Sequence, residues 1–174
     1  MLGDEFGTVR KAATQSAAAA VPAIDDVDRV RTRGLFALAE AVLAPNWRVP
    51  PRWQPVIVTQ KVTIRAKLIT FAHGRTMPVS NGAAVEPGQW IQFWSLLGGV
   101  TPGADYQTHW RITNTGSVEQ KHRALRGGFE ASSEPHTRRE ELTYRGVHMA
   151  EAFVVRVSDQ RLVGHSDPFY VVIE

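Results

Sequence analysis

Between Tyr106 and Gly128 the chain sets Arg111, Lys121, Arg123 and Arg126 against one carboxylate, Glu119, and adds His109 and His122. A guanidinium is the side chain best shaped to grip a phosphate or carboxylate through two parallel hydrogen bonds. Arg126 is followed by Gly127-Gly128, where the missing Cβ lets a ligand approach backbone and guanidinium together. Further on, Tyr144-Arg145-Gly146 and His148 place a phenol, a guanidinium and an imidazole around one strand turn. Arg126, Gly127, Tyr144, Arg145, His148, Asn114 and Arg111 are therefore the candidate binding residues for an anionic ligand. An aromatic ring beside them can stack a base.

Structural roles compete for the same residues. Trp110 shares a strand face with Tyr106 and Ile112, which favours core over stacking platform. Asn114-Thr115-Gly116 has the composition of a turn, with Gly116 supplying a positive φ. Glu141 can pair with Arg126 in a partly buried bridge, and Tyr144 can tie down a neighbouring strand through its hydroxyl.

Other chemistries find less support. His73, His109, His122, His136, His148 and His165 show neither H-x-H nor H-E-x-x-H spacing, so no metal site is expected. The absence of cysteine removes disulfides and thiolate catalysis. There is no nucleophile elbow, P-loop or dinucleotide fingerprint. Asp26 and Asp28 have the D-x-D spacing of a metal-dependent nucleotidyltransferase, but no Gly-Ser stretch precedes them, and they read as helix capping. The expectation is a protein that is not an enzyme and uses no cofactor.

The charge balance is +3 without a block of like charge, which argues against a duplex-coating DNA binder. No run reaches the roughly 18–20 apolar residues of a membrane span. "RKAATQSAAAAVPA" follows Asp4 and Glu5 and is broken by Thr, Gln and Ser, so it makes a poor secretion signal. A cytoplasmic protein without membrane contact is expected.

The elements that must position the candidate residues fall into two textures. Residues 1–53 read as one or two helices and a connector. After the alanine-rich stretch, Val27, Val30, Leu35, Leu38 and Val42 form an apolar stripe at helical spacing over 25–43, stopped by Pro45. "PNWRVPPRWQP" is then extended and pinned by Trp47 and Trp53. Residues 54–174 read as seven or so short strands with Gly, Pro and Asn turns. The fold class is all-β, an immunoglobulin-like antiparallel β-sandwich preceded by the helices. "VHMAEAFVVRV" is apolar on both faces and belongs at the centre of a sheet, whereas the Arg65/Lys67 face of "VTIRAKLITFA" faces water.

Several ordered motifs then coincide. Trp110, Ile112, Asn114, Thr115 and Gly116 match a W-x-V-x-N-T-G pattern, and Leu125, Arg126, Gly127 and Phe129 an L-R-G-x-F pattern. Glu141, Thr143, Tyr144, Gly146 and His148 follow the order of an E-x-T-x-Y-x-G-x-H pattern with one residue fewer, Thr143 and Tyr144 being adjacent, and Phe169 falls on a closing strand. "VSNGAAVEPGQWIQF" extends the match, so that it covers roughly residues 60–174. The set resembles the sensor domain, AGS-C, found at the C-terminus of adenylyl/guanylyl cyclases and of SMODS-type second-messenger nucleotidyltransferases. Residues 1–53 depart from the family pattern, being too short for the catalytic domain that usually precedes the sensor. The resemblance implies a sensor role in bacterial anti-phage conflict systems. It also implies a nucleotide or nucleic-acid-derived ligand and an associated nucleotidyltransferase or effector.

Two further readings stand beside that one. The chain can be a protein–protein interaction domain without a small ligand, using the 25–43 helix and the Trp47–Trp53 connector, or homo-oligomerise through its N-terminal helices. A carbohydrate-binding sandwich draws on the five tryptophans but lacks carboxylate-rich sites.

Overall fold

Strands form where period-two alternation puts apolar residues on one face, and the partner sheet decides which face is buried. The computed structural model describes residues 26–34, 48–70, 75–115 and 125–174. It contains helix α1 (Asp26–Arg33) and ten strands: β1 (Val62–Thr70), β2 (Arg75–Val79), β3 (Ala83–Val85), β4 (Gln89–Leu97), β5 (Tyr106–Thr115), β6 (Phe129–Ala131), β7 (Thr137–Leu142), β8 (Gly146–Arg156), β9 (Leu162–His165) and β10 (Phe169–Ile173). The chain is thus mostly β. One sheet runs β2-β1-β4-β7, the other β3-β10-β8-β5-β6, with β9 added on β8. Pairs of these ten strands are all antiparallel except β3 on β10.

The two sheets share one core. Ala66 and Leu68 of β1 and Ile91 and Phe93 of β4 meet Trp110, Ile112, Ala150, Ala152 and Phe169 from the second sheet. Phe93 is the hinge of this contact, 6.3 Å from the Trp110 ring and edge-on to Phe169 at 5.7 Å. Trp110 is fully buried, as its strand face predicts, and its Nε1–H donates to Ser132 Oγ at 3.2 Å. β8 occupies the centre, paired with β5, β10 and β9, and is buried from Gly146 through Val155.

The outer face of the second sheet is covered by the N-terminal segment. Val30 of α1 packs on Val147, Met149 and Tyr170. Trp53 is buried with Phe153, Val155 and Leu162. The connector also hydrogen-bonds to β9: Val56 N–H donates to Leu162 O, Gln60 N–H to Val163 O, and Leu162 N–H to Gln54 O. This approach requires a glycine, because a Cβ at Gly164 would lie 2.2 Å from the Gln60 carbonyl oxygen. The proline connector is therefore pinned, as the sequence implies, by Trp53; Trp47 lies outside the described residues.

Several expectations need correction. The helix expected over 25–43 stops at Arg33, where Gly34 adopts φ 70° and its N–H closes on Val30 O. Leu35, Leu38 and Val42, and any earlier helix in the alanine-rich stretch, lie outside the described residues. Asn114 and Thr115 belong to β5 and form no turn there, and Gly116 lies outside the described residues.

Candidate functional site

Strand β7 carries Arg138, Glu140 and Leu142 on one face and Arg139 and Glu141 on the other. Leu142 is fully buried, so the face it shares with Arg138 and Glu140 turns toward the core. At this edge the two sheets meet β6 and the residues just before it, and four charges gather. Arg126 donates from Nε to Glu130 Oε1 at 2.9 Å and from Nη2 to Glu140 Oε1 at 3.1 Å. Arg138 donates from Nε to Glu140 Oε1 at 2.5 Å and bonds Glu130 through Nη2. Each carboxylate thus bridges both guanidiniums. Glu140 is nearly sealed, while the side chain of Glu130 remains 29% accessible.

Burial alone would depress the Arg126 guanidinium's affinity for its proton. Hydrogen bonds to Glu140 and then Glu130 outweigh that penalty and hold it protonated even more firmly than usual. Burial would likewise raise the Glu140 carboxyl, but the hydrogen bond and charge of Arg126, then those of Arg138, bring it below its ordinary value. A partly buried bridge of Arg126, one of the two readings of this residue, does form, but not with Glu141. The period-two face of β7 makes the partner Glu140, with Glu130 as the second, and Glu141 is exposed on the opposite face.

The predicted residues divide into three places. Arg126, Gly127, Asn114 and His148 come together: the Arg126 N–H donates to Asn114 Oδ1 at 2.6 Å, Asn114 lies opposite His148 in the β5–β8 ladder, and Gly127 O accepts from Val49 N–H. Arg111 is not part of this group. It is buried on the outer face of the second sheet, where Nε and Nη2 grip Glu151 at 2.8 and 2.9 Å, and Nη1 donates to Val49 O. Arg48 bonds the same carboxylate at 2.5 Å. Tyr144 and Arg145 sit at the β7–β8 turn, where Arg145 pairs with Asp28 of α1 at 3.2 Å. Lys121, His122 and Arg123 lie outside the described residues.

A model of the adenylyl/guanylyl and SMODS C-terminal sensor domain matches residues 40–174, most of the chain. The chain belongs to the AGS-C family. The family is one of sensor domains attached to nucleotidyltransferase-type systems, so AGS-C membership gives this chain a sensor role and a partner of that type. No curated protein matches the chain. Among solved structures, the PKD domain (329–428) of human KIAA0319 is 13% identical and covers 75% of this chain and 92% of its own, at a TM-score of 0.34. A likeness that loose bears on neither ligand nor mechanism.

Within the AGS-C motifs, the structure shows why Trp110, Asn114 and His148 keep company. They point to the same side of β5 and β8, Trp110 into the apolar core and Asn114 and His148 into its polar end beside Glu140. Sequence reasoning missed Glu130, Arg138 and Glu140. The alternation of Arg138, Glu140 and Leu142 held the necessary signal, since an apolar Leu142 marks that face as inward. It also missed a buried chain at the other end of the core, where Thr108 Oγ1 bonds both Ser95 Oγ and His136 Nδ1 at 2.9 Å. Among the described residues no group of three His, Asp or Glu side chains gathers as a metal site requires, and no helix is long and apolar enough to cross a membrane.

His148 supplies a pH prediction. Burial pushes its pKa down to about 4, opposed by Glu140 and reinforced by Arg126. The folded state keeps the ring neutral while the unfolded chain protonates it below the ordinary value of 6.5. Stability is therefore full above pH 6.5 and falls as the pH drops toward 4, by about 3 kcal/mol from this group. His109 and His136, also depressed mainly by burial, add to the same slope. The stabilising contribution of Glu140 is lost at lower pH, below its ordinary value of 4.5. Urea unfolding between pH 7 and 4 should show this decline, and His148→Gln should make it shallower.

Proposed function

We propose that this chain is a non-catalytic sensor in a bacterial anti-phage or second-messenger system, binding a nucleotide or nucleic-acid-derived anion and regulating an associated nucleotidyltransferase. Residues 54–174 are the sensing immunoglobulin-like β-sandwich, a reading supported by two sheets around one core, and residues 1–53 couple it to the partner. The observation that carries the ligand reading is the Glu130 carboxylate, which bridges Arg126 and Arg138 where a phosphate would sit. Two guanidiniums converging on one carboxylate form a clamp that a phosphate fits equally well.

Glu130 is the exchangeable member of the cluster. It sits on the three-residue edge strand β6 and is more accessible than Glu140. A phosphate displaces Glu130, and Glu140 stays to hold both arginines. Asn114 and Gly127 fix the Arg126 backbone during the exchange, and His148 provides the neutral wall behind Glu140. Because β6 pairs with β5 and lies against Trp53 through Phe129, displacement of Glu130 reaches the connector.

Thermal-shift and calorimetric titration with inorganic phosphate, mononucleotides and cyclic oligonucleotides tests this. Binding should be salt-dependent and lost in Arg126→Ala. Glu130→Ala should tighten it several-fold by removing the internal competitor. Unchanged affinity in both variants would end the exchange model.

A further inference from the structure

The chain changes sheets after β2 and leaves an opening where it does so. Asn81 steers the crossing. Its Oδ1 accepts from Tyr170 N–H at 2.7 Å and its Nδ2 donates to Pro168 O at 3.1 Å, which starts β3 along β10. β2 therefore stops opposite Ala66, although β4 follows β1 as far as Val62. On the β2 side a single bridge, Val62 to Ser166, closes the far end. Between these two, at Ile64, no described strand completes the ladder.

The main chain of Ile64 faces that gap. Ser95, opposite Ile64 on β4, gives its N–H to His136 O on the β7 side, so Ile64 and Ser95 exchange no ladder bonds. Pro78, which has no N–H, stands opposite Lys67. Ala66 and Leu68 are then the bonded positions toward β2, and Ile64 is the next in that series. One donor and one acceptor thus turn into a hollow of about 620 Å³. Ile64, Val79 and Phe169 make its inner wall apolar. Arg65 and Lys67 stand on its rim, the Lys67 ammonium 5.9 Å from the Trp94 ring centroid. Among the described residues neither cation has a carboxylate within 4 Å. The carboxylate in the lining, Asp167, follows Ser166 at the closed end.

The shape selects the occupant. From Val62 to Ala66 the gap spans four residues, roughly 13 Å. A strand running through it would collide with β2 at one end and with Ser166 at the other, so the gap admits the end of a chain and not its middle. A chain end carries either an ammonium or a carboxylate. Two cations without carboxylate partners, against one acid, select the carboxylate.

We infer that this notch binds the C-terminus of an extended peptide whose last residue is apolar. The Ile64 N–H and C=O pair with the peptide main chain, the last side chain fills the hollow over Ile64, Val79 and Phe169, and Arg65 and Lys67 hold the carboxylate. Main-chain pairing at an open sheet edge supplies affinity for any extended segment, while the hollow and the cations read its end. The site stands apart from the Arg126 cluster, which gathers at β7 on the other edge of this sheet.

The test is fluorescence anisotropy with the full chain and a labelled hexapeptide ending Ser-Val-Leu, prepared as the free acid and as the C-terminal amide. The free acid should bind and weaken as salt rises. The amide should bind about tenfold more weakly or worse, the loss of one charge-assisted hydrogen bond. Arg65→Ser/Lys67→Ser should erase the difference between the two. Both side chains lie on the outer face of β1, so this variant leaves the core intact. N-methylation of the last peptide bond removes the donor to the Ile64 carbonyl and should weaken binding several-fold with the protein itself unaltered. Arg126→Ala should leave peptide binding unchanged. No binding of the free acid, equal binding of acid and amide, or indifference to both Arg65→Ser/Lys67→Ser and N-methylation would each overturn the assignment. Binding of N-acetyl-leucine as tight as that of the hexapeptide would overturn it too, by making a free apolar acid the occupant.

Discussion

Replacing Glu151 with alanine should destabilise the protein by about 3–5 kcal/mol, the usual cost of stranding a buried charge. Glu151 is one carboxylate serving two arginines, Arg111 gripped at both oxygens and Arg48 at one, and it is almost inaccessible. Removing it leaves two guanidiniums facing each other in a site built for one anion. Phe129 and Phe153, which lie 5.5 and 5.0 Å from the Arg111 guanidinium carbon, offer partial compensation only. Since a domain of this size is held by roughly 5–15 kcal/mol, much of its stability is lost. Urea unfolding measures the effect. Glu151→Leu combined with Arg111→Leu should recover much of the loss, because a buried pair exchanged whole for apolar side chains leaves fewer unmatched charges. A double variant as unstable as Glu151→Ala would show that shape, and not charge, is what Glu151 supplies. Arg48 and Val49 belong to the N-terminal connector, and Glu151 and Arg111 to the central strands, so this ion cluster ties the connector to the second sheet.

Trp53→Ala should cost a further 3–5 kcal/mol or so, the range for truncating a buried tryptophan. The ring stands 4.4 Å from His109, edge-on to Phe129 at 4.9 Å and 6.4 Å from Phe153. It fills the space between β5, β6 and β8, and the connector's hydrogen bonds to β9 follow it directly in sequence. Two readouts separate packing from anchoring. The urea midpoint falls in either case, but hydrogen exchange at the amides of Val56 and Gln60 accelerates before global unfolding only when Trp53 is the anchor. Trp53→Phe should keep most of the protection. Unaltered exchange at those amides in Trp53→Ala would mean that the ladder to Leu162 and Val163 holds the connector by itself.

The strands were readable because alternation is a local property. Trp110, Ile112 and Thr108 point inward together in any sheet that buries one of them, and the doubly apolar run from Val147 to Val155 has no place but the middle. The sensor motifs were likewise readable as ordered short patterns. The end of α1 was misjudged because the apolar stripe continues past Gly34, and a glycine's left-handed φ is chosen by packing rather than declared by the stripe. Arg111 was placed with the ligand residues on the strength of its charge; its burial against Glu151 depends on which strand lies beside β5.

The sequence alone determined the β class, the central strand, the burial of Trp110, the sensor family and the water-facing side of β1. Only the tertiary structure decided which carboxylate meets which guanidinium, and which sheet face the connector covers. Periodicity says that a side chain points inward or outward. The partner it finds there depends on register and on the meeting of residues far apart in the chain, as when Glu151 reaches back to Arg48. Coulomb energy varies with distances of a few ångströms that no local pattern encodes.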